Sequence, residues 1–344
     1  MSVSDTEPED PDVAPGTSAA RASRTISRRD WLSRKSADYG VVIALLVMIL
    51  GFSVALPNTF PTLVDAQQIL GSQAIPGILA LAVIIPLAAG VFDLSVGATL
   101  GFASVFSAHY AGSVPILLLF VLTICLGVVI GSINAGLVWV GVNPFIATLG
   151  VATILSGGNE ILTQDVDIYQ GIGPSFTSIA QNHVLGLELP VYYFLALAVI
   201  MYYLIEWTPY GRYLRATGLG REAARLTGVR TQLWLGSSFV AAGAIAALAG
   251  FLETAYVASA SPSIGPDFLL PAYAAAFLGT TTIVRGFFNV WGTVVGVFLL
   301  AVGTTGLVLG GAPFWIEPVF NGAALIVAVT LAVLGARAQE ARGS

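Results

Sequence analysis

The sequence predicts an all-α fold: a polytopic transmembrane helical bundle with about ten spans and both termini in the cytoplasm. Three observations support this prediction, namely the composition, a succession of long apolar segments, and the positions of the basic residues. Apolar residues make up 56% of the chain and charged residues only 10%. A soluble domain carries about 25% charged residues, because its surface faces water. A chain this poor in charge suits a lipid environment.

Ten segments are candidate membrane spans, since a helix needs about 20 mainly apolar residues to cross the hydrocarbon core. The predicted spans cover residues 39–56, 67–90, 94–111, 114–139, 144–161, 190–207, 232–255, 269–284, 289–309 and 316–335. The third, fifth and eighth of them are short or are interrupted by Gly and Pro. These three are therefore the weakest members of the count.

The basic residues test the count independently, because cytoplasmic loops carry the excess of Lys and Arg. The 14 basic residues fall into four groups: residues 21–35, residues 212–230, Arg285 alone, and Arg337 with Arg342. Six predicted spans separate the first two groups and two spans separate each later pair, so all groups lie on one side. The 162–189 connection has three acidic residues and no Lys or Arg, as expected outside. Eight or twelve spans would satisfy the same parity.

The two ends of the chain differ in composition from the part between them. Residues 1–37 are first acidic and rich in Pro, Ser and Thr, then basic, and cannot bury enough apolar area to fold alone. We expect them to form a disordered, uncleaved cytoplasmic tail. Residues 38–336 form the predicted transmembrane domain, and residues 337–344 form a second cytoplasmic tail.

The longest predicted cytoplasmic connection lies between the sixth and seventh spans, at residues 208–231. Within it, residues Arg221 to Leu226 predict a short helix that ends before Gly228. Such a helix is too polar to enter lipid and too short to be stable by itself, so it needs a partner surface. By charge alone, a simple connector that follows the positive-inside rule is an equally good explanation.

Four stretches of sequence resemble a known family. Glu222-Ala-Ala, followed after three residues by Gly228, resembles the coupling-helix motif of bacterial ATP-binding-cassette importer permeases. Gly211-Arg-Tyr-Leu-Arg-Ala-Thr-Gly218 resembles the version found in ribose-type sugar permeases. The stretches 92–98 and 143–150 also match that family, and 286–293 is close but less distinctive. The resemblance covers roughly residues 40–335; Glu222 departs from it, since ribose-type members are expected to have Asn there.

This resemblance implies a multi-pass permease of the bacterial cytoplasmic (inner) membrane that imports a sugar or sugar-like solute. It implies a second permease copy, identical or related, two ATP-binding-cassette ATPase subunits, an extracytoplasmic solute-binding protein and surrounding membrane lipid as partners. No nucleic-acid partner is expected. The residues implied in coupling to the ATPase are Gly218, Glu222, Ala223, Ala224 and Gly228.

The chain is not expected to be an enzyme or to bind a cofactor. Lys35 is the only lysine and lies in no Gly-rich loop, so a phosphate-binding loop of the Walker type is absent from the sequence. ATP and Mg²⁺ are therefore expected on the partner subunits. No catalytic grouping or metal site is predicted, because His109 and His183 match no metal-ligand spacing.

Polar and aromatic residues in or near the spans are candidates for a solute path. An ionisable residue inside a membrane predicts a function, but Asp93 also suits the N-terminus of a helix, and capping is the favoured explanation. Asn143 has the same two explanations, and capping is again favoured. The candidates are Asp93, Ser95, Asn143, Phe145, Thr148, Asn159, Tyr273 and Phe277. Near this path we expect Gly and Pro to break or shorten spans 94–111 and 144–161.

A secondary carrier for a small polar solute is the main alternative. Such a carrier normally places several ionisable groups inside the membrane as ion or proton sites. This chain offers Asp93, while Glu160, Glu206 and Glu253 lie near the ends of predicted spans. A polar coupling segment and a mostly uncharged path favour the importer permease.

Overall fold

A computed structural model describes residues 39–343 as a helical protein with one short β-ribbon. The helices, numbered in chain order, are α1 Gly40–Ala55, α2 Leu63–Ser72, α3 Ala74–Ala88, α4 Ser95–Tyr110, α5 Ile116–Val140, α6 Pro144–Thr163, α7 Pro174–Gln181, α8 Leu189–Tyr202, α9 Pro209–Leu219, α10 Arg221–Leu226, α11 Thr231–Val257, α12 Ile264–Thr280, α13 Val290–Leu309 and α14 Ile316–Gly343. A π-helix, Tyr203–Trp207, extends α8. Strands β1 His183–Val184 and β2 Leu187–Glu188 pair antiparallel. The tail predicted to be disordered lies outside the described residues.

Among residues 39–343, six helices are long and apolar enough to cross a membrane, which confirms a polytopic all-α membrane protein. They are α5, α6, α8 with its π-helix, α11, α13 and the Ile316–Leu334 part of α14. The α2–α3 pair, bent by 42°, makes a seventh crossing if it is one span. The predicted count of ten rests on the shorter helices α1, α4 and α12, which have 16, 16 and 17 residues.

The structure bears out the predicted irregularity of spans 94–111 and 144–161 only in part. Neither α4 nor α6 is broken internally, although α4 is short. The non-helical stretch is residues 89–94, which separates α3 from α4. At the C-terminal end, α14 continues helically to Gly343, through most of the predicted second tail.

Helix α3 forms the centre of the bundle. Its residues are apolar on every side, and all of them from Ala74 to Leu87 except Pro76 are buried. A helix that is apolar all round is stable only where neighbours cover it completely. Helices α11, α12, α8 and α13 supply that cover.

Helix α11 packs against α5 and α4 through glycines. A Cβ at Gly127 of α5 would overlap the Gly243 carbonyl of α11, and one at Gly131 would overlap the Phe239 carbonyl. A Cβ at Gly250 would overlap the Leu100 carbonyl of α4. The backbones touch directly at these crossings, which is how helices associate tightly in lipid.

The bundle allows a direct test of its predicted orientation. Ser175 is exposed at the start of α7, in the connection predicted to face outwards, and Arg221 is exposed in α10. In a Cys125→Ala background, we expect Ser175→Cys to react with an impermeant thiol reagent added to intact cells. Arg221→Cys should react only after the cells are opened. Labelling of Arg221→Cys in intact cells would contradict the predicted topology.

Candidate functional site

The candidate site is built around the break between α3 and α4. Helix α3 ends at Ala88, and Gly90 has a φ of +80°, a left-handed conformation that glycine adopts without strain. The chain then runs without helical structure until Ser95 starts α4. Val91, Asp93 and Ser95 are all buried, so this break lies inside the bundle.

Asp93 lies one position before Leu94, the N-cap residue of α4, and its carboxylate binds the first residue of the helix. Its Oδ1 accepts hydrogen bonds from the Ser95 backbone N–H (3.0 Å) and from Ser95 Oγ (2.6 Å). A carboxylate that satisfies free N–H groups at a helix start stabilises the helix. The side chain is only 1% exposed, so in this conformation the carboxylate is enclosed by protein. The hydrogen bonds thus agree with the capping explanation.

The backbone next to Asp93 is held by two further candidates. The Tyr273 hydroxyl of α12 accepts a hydrogen bond from the Asp93 N–H (3.0 Å) and donates one to the Asp93 carbonyl (2.9 Å). Thr148 Oγ1 of α6 accepts from the Leu94 N–H (3.1 Å). The fold therefore brings Asp93, Ser95, Thr148 and Tyr273 together at the break.

Aromatic rings cover the same break. The Phe92 ring stacks on Tyr273, with centroids 5.7 Å apart, and on Phe277, with centroids 6.1 Å apart. Phe92 remains 46% exposed, so this stack presents an accessible ring. Tyr273 and Phe277 were predicted as candidates for the solute path, whereas Phe92 was noted only as part of the stretch 92–98.

The remaining candidates lie apart from the break. Asn143 caps α6, its Oδ1 accepting from the Phe145 N–H at 2.9 Å, and both side chains are exposed. Asn159 lies 14 residues beyond Phe145 along α6, about 21 Å away at 1.5 Å per residue. Its Nδ2 donates to the Pro262 carbonyl (3.1 Å), while its buried Oδ1 has no hydrogen-bond partner. One small solute cannot contact Phe145 and Asn159 together.

One asparagine outside the predicted candidates contacts the site, and another joins the end of α12 to the start of α13. Asn134 of α5 is fully buried and donates from Nδ2 to Ser95 Oγ (2.7 Å), while its Oδ1 has no partner. Asn289 caps α13 through the Gly292 N–H (2.7 Å) and donates to the Gly279 carbonyl (2.8 Å). Asn134 could have been noticed in the sequence, because it is the one asparagine in the apolar run of α5.

The predicted coupling segment, residues 208–231, forms α9 and α10. Thr208 caps α9, since its Oγ1 accepts from the Tyr210 N–H (3.2 Å). After α10, Gly228 has a φ of +88°, and the Val229 N–H donates to the Ala224 carbonyl (3.1 Å), as in a Schellman motif. Gly228 therefore has a local reason to be glycine, separate from any close approach by a partner.

The segment has an outward surface with exposed apolar residues. Glu222 and Ala223 are exposed, whereas Ala224 is buried within the chain, since α10 packs on α9 and α11. Leu226 is 85% exposed and Leu219 is also exposed. Both leucines are therefore accessible to a partner surface.

Helix α9 connects the segment to the bundle at two points. At Gly218 a Cβ would overlap the Ala88 carbonyl, and a Cβ at Gly90 would lie 3.0 Å from the Gly218 Cα, so the two backbones touch. Arg215 forms an ion pair with Glu206, and its Cζ lies 5.7 Å from the centre of the Phe287 ring. Gly218, predicted for ATPase coupling, thus contacts the break in the bundle.

Comparison with known proteins gives a family and several relatives. Residues 66–329 match the family model described as "Branched-chain amino acid transport system / permease component". The chain is similar to the "Autoinducer 2 import system permease protein LsrD" of Salmonella paratyphi A (strain ATCC 9150 / SARB42), with 30% identity over 306 residues that cover 86% of this chain and 91% of that protein. The proteins of the same description from Escherichia coli (strain K12) and Shigella flexneri are each 31% identical over 301 residues, 85% of this chain and 91% of theirs.

Among solved structures, the chain is similar to an inward-facing ABC transporter described as metal-chelate type. The identity is 17% and the TM-score 0.49, over 87% of this chain and 98% of that one. A likeness this distant carries no argument about function.

Substitution of Asp93 tests the capping role. Asn retains an oxygen that can accept from the Ser95 N–H, so Asp93→Asn should leave the stability of the purified protein nearly unchanged. Asp93→Leu removes the cap and should lower the free energy of unfolding by about 1–2 kcal/mol. Unfolding of the purified variants in detergent measures both. If Asp93→Asn folds normally but abolishes transport, capping is not the only role of this carboxylate.

Proposed function

The chain belongs to the permease-component family of transport systems, and we propose that it is the membrane-spanning subunit of an ATP-driven importer for a sugar or sugar-like solute. The observation that best supports this function is the exposed α9–α10 segment, whose Gly218 contacts the helix break. Such a segment offers an ATPase a surface that is continuous with the interior of the bundle.

The chemistry around the break favours an uncharged, hydroxylated solute. The exposed Phe92 ring supplies a stacking face, and the polar groups buried at the break include the neutral Asn134 and Thr148. Sites for small molecules combine apolar and aromatic walls with a few polar groups that fix orientation. An amino acid would also require a cationic partner for its carboxylate. Arg215 of α9, one helical turn from Gly218, is already paired with Glu206.

The partners follow from what the chain contains and what it lacks. Its sequence has no Walker-type loop, so ATP and Mg²⁺ would bind to two separate ATPase subunits. A second permease copy, identical or related, would complete the translocation path. An extracytoplasmic binding protein would deliver the solute. The assembly would lie in the bacterial cytoplasmic (inner) membrane.

A count of ten membrane crossings, with both chain termini in the cytoplasm, agrees best with the helix lengths and with the positions of Lys and Arg. Six long helices and the bent α2–α3 pair make seven crossings, and α1, α4 and α12 make three more. A 16-residue helix is about 24 Å long, against a hydrocarbon core of about 30 Å. Local thinning of the bilayer or flanking residues can cover this difference at modest cost. This count places all basic residues on one side.

We propose that Gly218 transmits movement between the ATPase and the solute path. Because Gly218 touches the backbone at Ala88 and Gly90, a shift of α9 must move the end of α3. That end leads directly to Phe92 and Asp93, which Tyr273 holds against α12. Docking and solute release would thereby be coupled through backbone contacts.

Adding bulk to the outward face of α10 tests the docking surface. Ala223→Trp should insert normally in the membrane but weaken ATPase binding by about 30-fold, as expected when a central interface contact is lost. Glu222→Lys should weaken it by no more than about fivefold, since an exposed charge contributes little. Ala66→Trp, an exposed alanine on α2, is the matched control. The measurement is titrated co-purification of the ATPase with tagged permease at equal membrane levels.

The docking proposal fails if Ala223→Trp binds the ATPase as the unmodified protein does and still supports uptake. In that case residues 208–231 are only a connector between α8 and α11.

Substitution of Gly218 tests transmission separately from docking. In Gly218→Ala the new Cβ would overlap the Ala88 carbonyl, so α9 and α3 must separate. We expect the ATPase to remain bound while uptake per ATP hydrolysed falls about 2- to 30-fold, the range for a change of about 0.5–2 kcal/mol in coupling. Gly220→Ala is the control, because a Cβ there makes only ordinary contact with Ala223. Equal uptake by both variants in reconstituted vesicles would refute transmission through Gly218.

A further inference from the structure

A cavity lies at the predicted cytoplasmic end of the bundle, away from the helix break. It has a volume of about 710 Å³ and opens between the C-terminal end of α5, helix α10 and the N-terminal end of α11. Arg221, Arg225 and Arg230 line it together with Trp139 and apolar side chains such as Val138 and Leu233.

The cavity has an excess of positive charge. Within residues 39–334, the guanidinium groups of Arg221 and Arg230 make no hydrogen bond or ion pair. Arg225 lies 3.7 Å from the Glu222 carboxylate, but both side chains are largely exposed, and such a pair is weak. Three guanidinium groups therefore face one carboxylate. Guanidinium groups bind phosphate oxygens with well-matched geometry.

Exposed aromatic and apolar side chains line part of the cavity. Trp139 is 73% exposed at the end of α5, next to the exposed Val140, and Leu233 is exposed on α11. Tryptophan is enriched where a membrane helix meets the headgroup region. An apolar exposed wall beside a cationic cavity fits a ligand with both acyl chains and a phosphate.

We propose that this cavity binds the headgroup of an anionic phospholipid from the cytoplasmic leaflet. Arg221, Arg225 and Arg230 contact the phosphate, Trp139 lies at the level of the headgroup, and the acyl chains follow the exposed faces of α5 and α11. The bound lipid holds α10 against the bundle. This inference rests on the orientation given under the proposed function, and basic pockets between membrane helices on the cytoplasmic side are known to bind such headgroups.

Native mass spectrometry of the permease alone tests the proposal. The purified protein is taken from bilayers of phosphatidylcholine with a minor fraction of phosphatidylglycerol, and bound lipid is counted after mild delipidation. We expect retained phosphatidylglycerol, with each of Arg221→Gln, Arg225→Gln and Arg230→Gln lowering its apparent affinity about fivefold. Arg212→Gln, an exposed arginine of α9 outside the cavity, should retain lipid as the unmodified protein does.

Three results would overturn the proposal. Equal retention of phosphatidylcholine would show that the cavity does not select an anionic headgroup. Displacement of the lipid by soluble glycerol 3-phosphate would show a site for free phosphates. A triple Arg→Gln variant that keeps phosphatidylglycerol but loses the ATPase would assign the arginines to protein docking. Because the lipid measurement contains no ATPase, its outcome is independent of the Ala223→Trp result.

Discussion

The need to satisfy backbone hydrogen bonds inside an apolar bundle constrains the rest of this structure. Helix α3 is buried on all sides and ends within the protein. The N–H groups of residues 89–91 still donate to its last carbonyls, but those of residues 93–95 have no helical partner. Each unsatisfied N–H or C=O in such surroundings costs several kcal/mol. Tyr273, Thr148 and Asp93 supply the partners at residues 93–95. Helices α12 and α6 must therefore keep fixed positions relative to the start of α4.

Direct backbone packing makes such fixed positions possible. Lipid is as apolar as the helix surfaces, so burial alone does not drive helices together, and close contact has to do so. At Gly127 and Gly243 the backbones of α5 and α11 touch, and at Gly97 and Gly265 so do those of α4 and the start of α12. The hydrogen bonds at the break are thus formed between helices whose separation glycine has already set.

Gly90 connects the helix break to the predicted cytoplasmic side of the bundle. Its left-handed backbone turns the chain out of α3, and its lack of a Cβ lets Gly218 approach. The ion pair between Arg215 and Glu206 holds α9 to the end of α8, beside that contact. In the proposed importer, one short stretch of backbone links the residues of the Phe92 aromatic stack to those that bind the ATPase.

The sequence by itself determined the membrane class and the helices, because these depend on local apolar runs and on the distribution of Arg and Lys. It also indicated Asp93, Thr148 and Tyr273, since polar residues in apolar runs are conspicuous. It did not show that residues 93 and 273 are hydrogen-bonded, that Asn134 completes the cluster, or that Phe92 is the exposed ring. Nor did it show that Phe145 and Asn159 lie too far apart to contact one small solute. It also did not show that Gly218 contacts Gly90 while Ala224 faces inwards. Only the tertiary structure decided these points, because contacts between residues distant in sequence depend on how the helices pack, which no local pattern records.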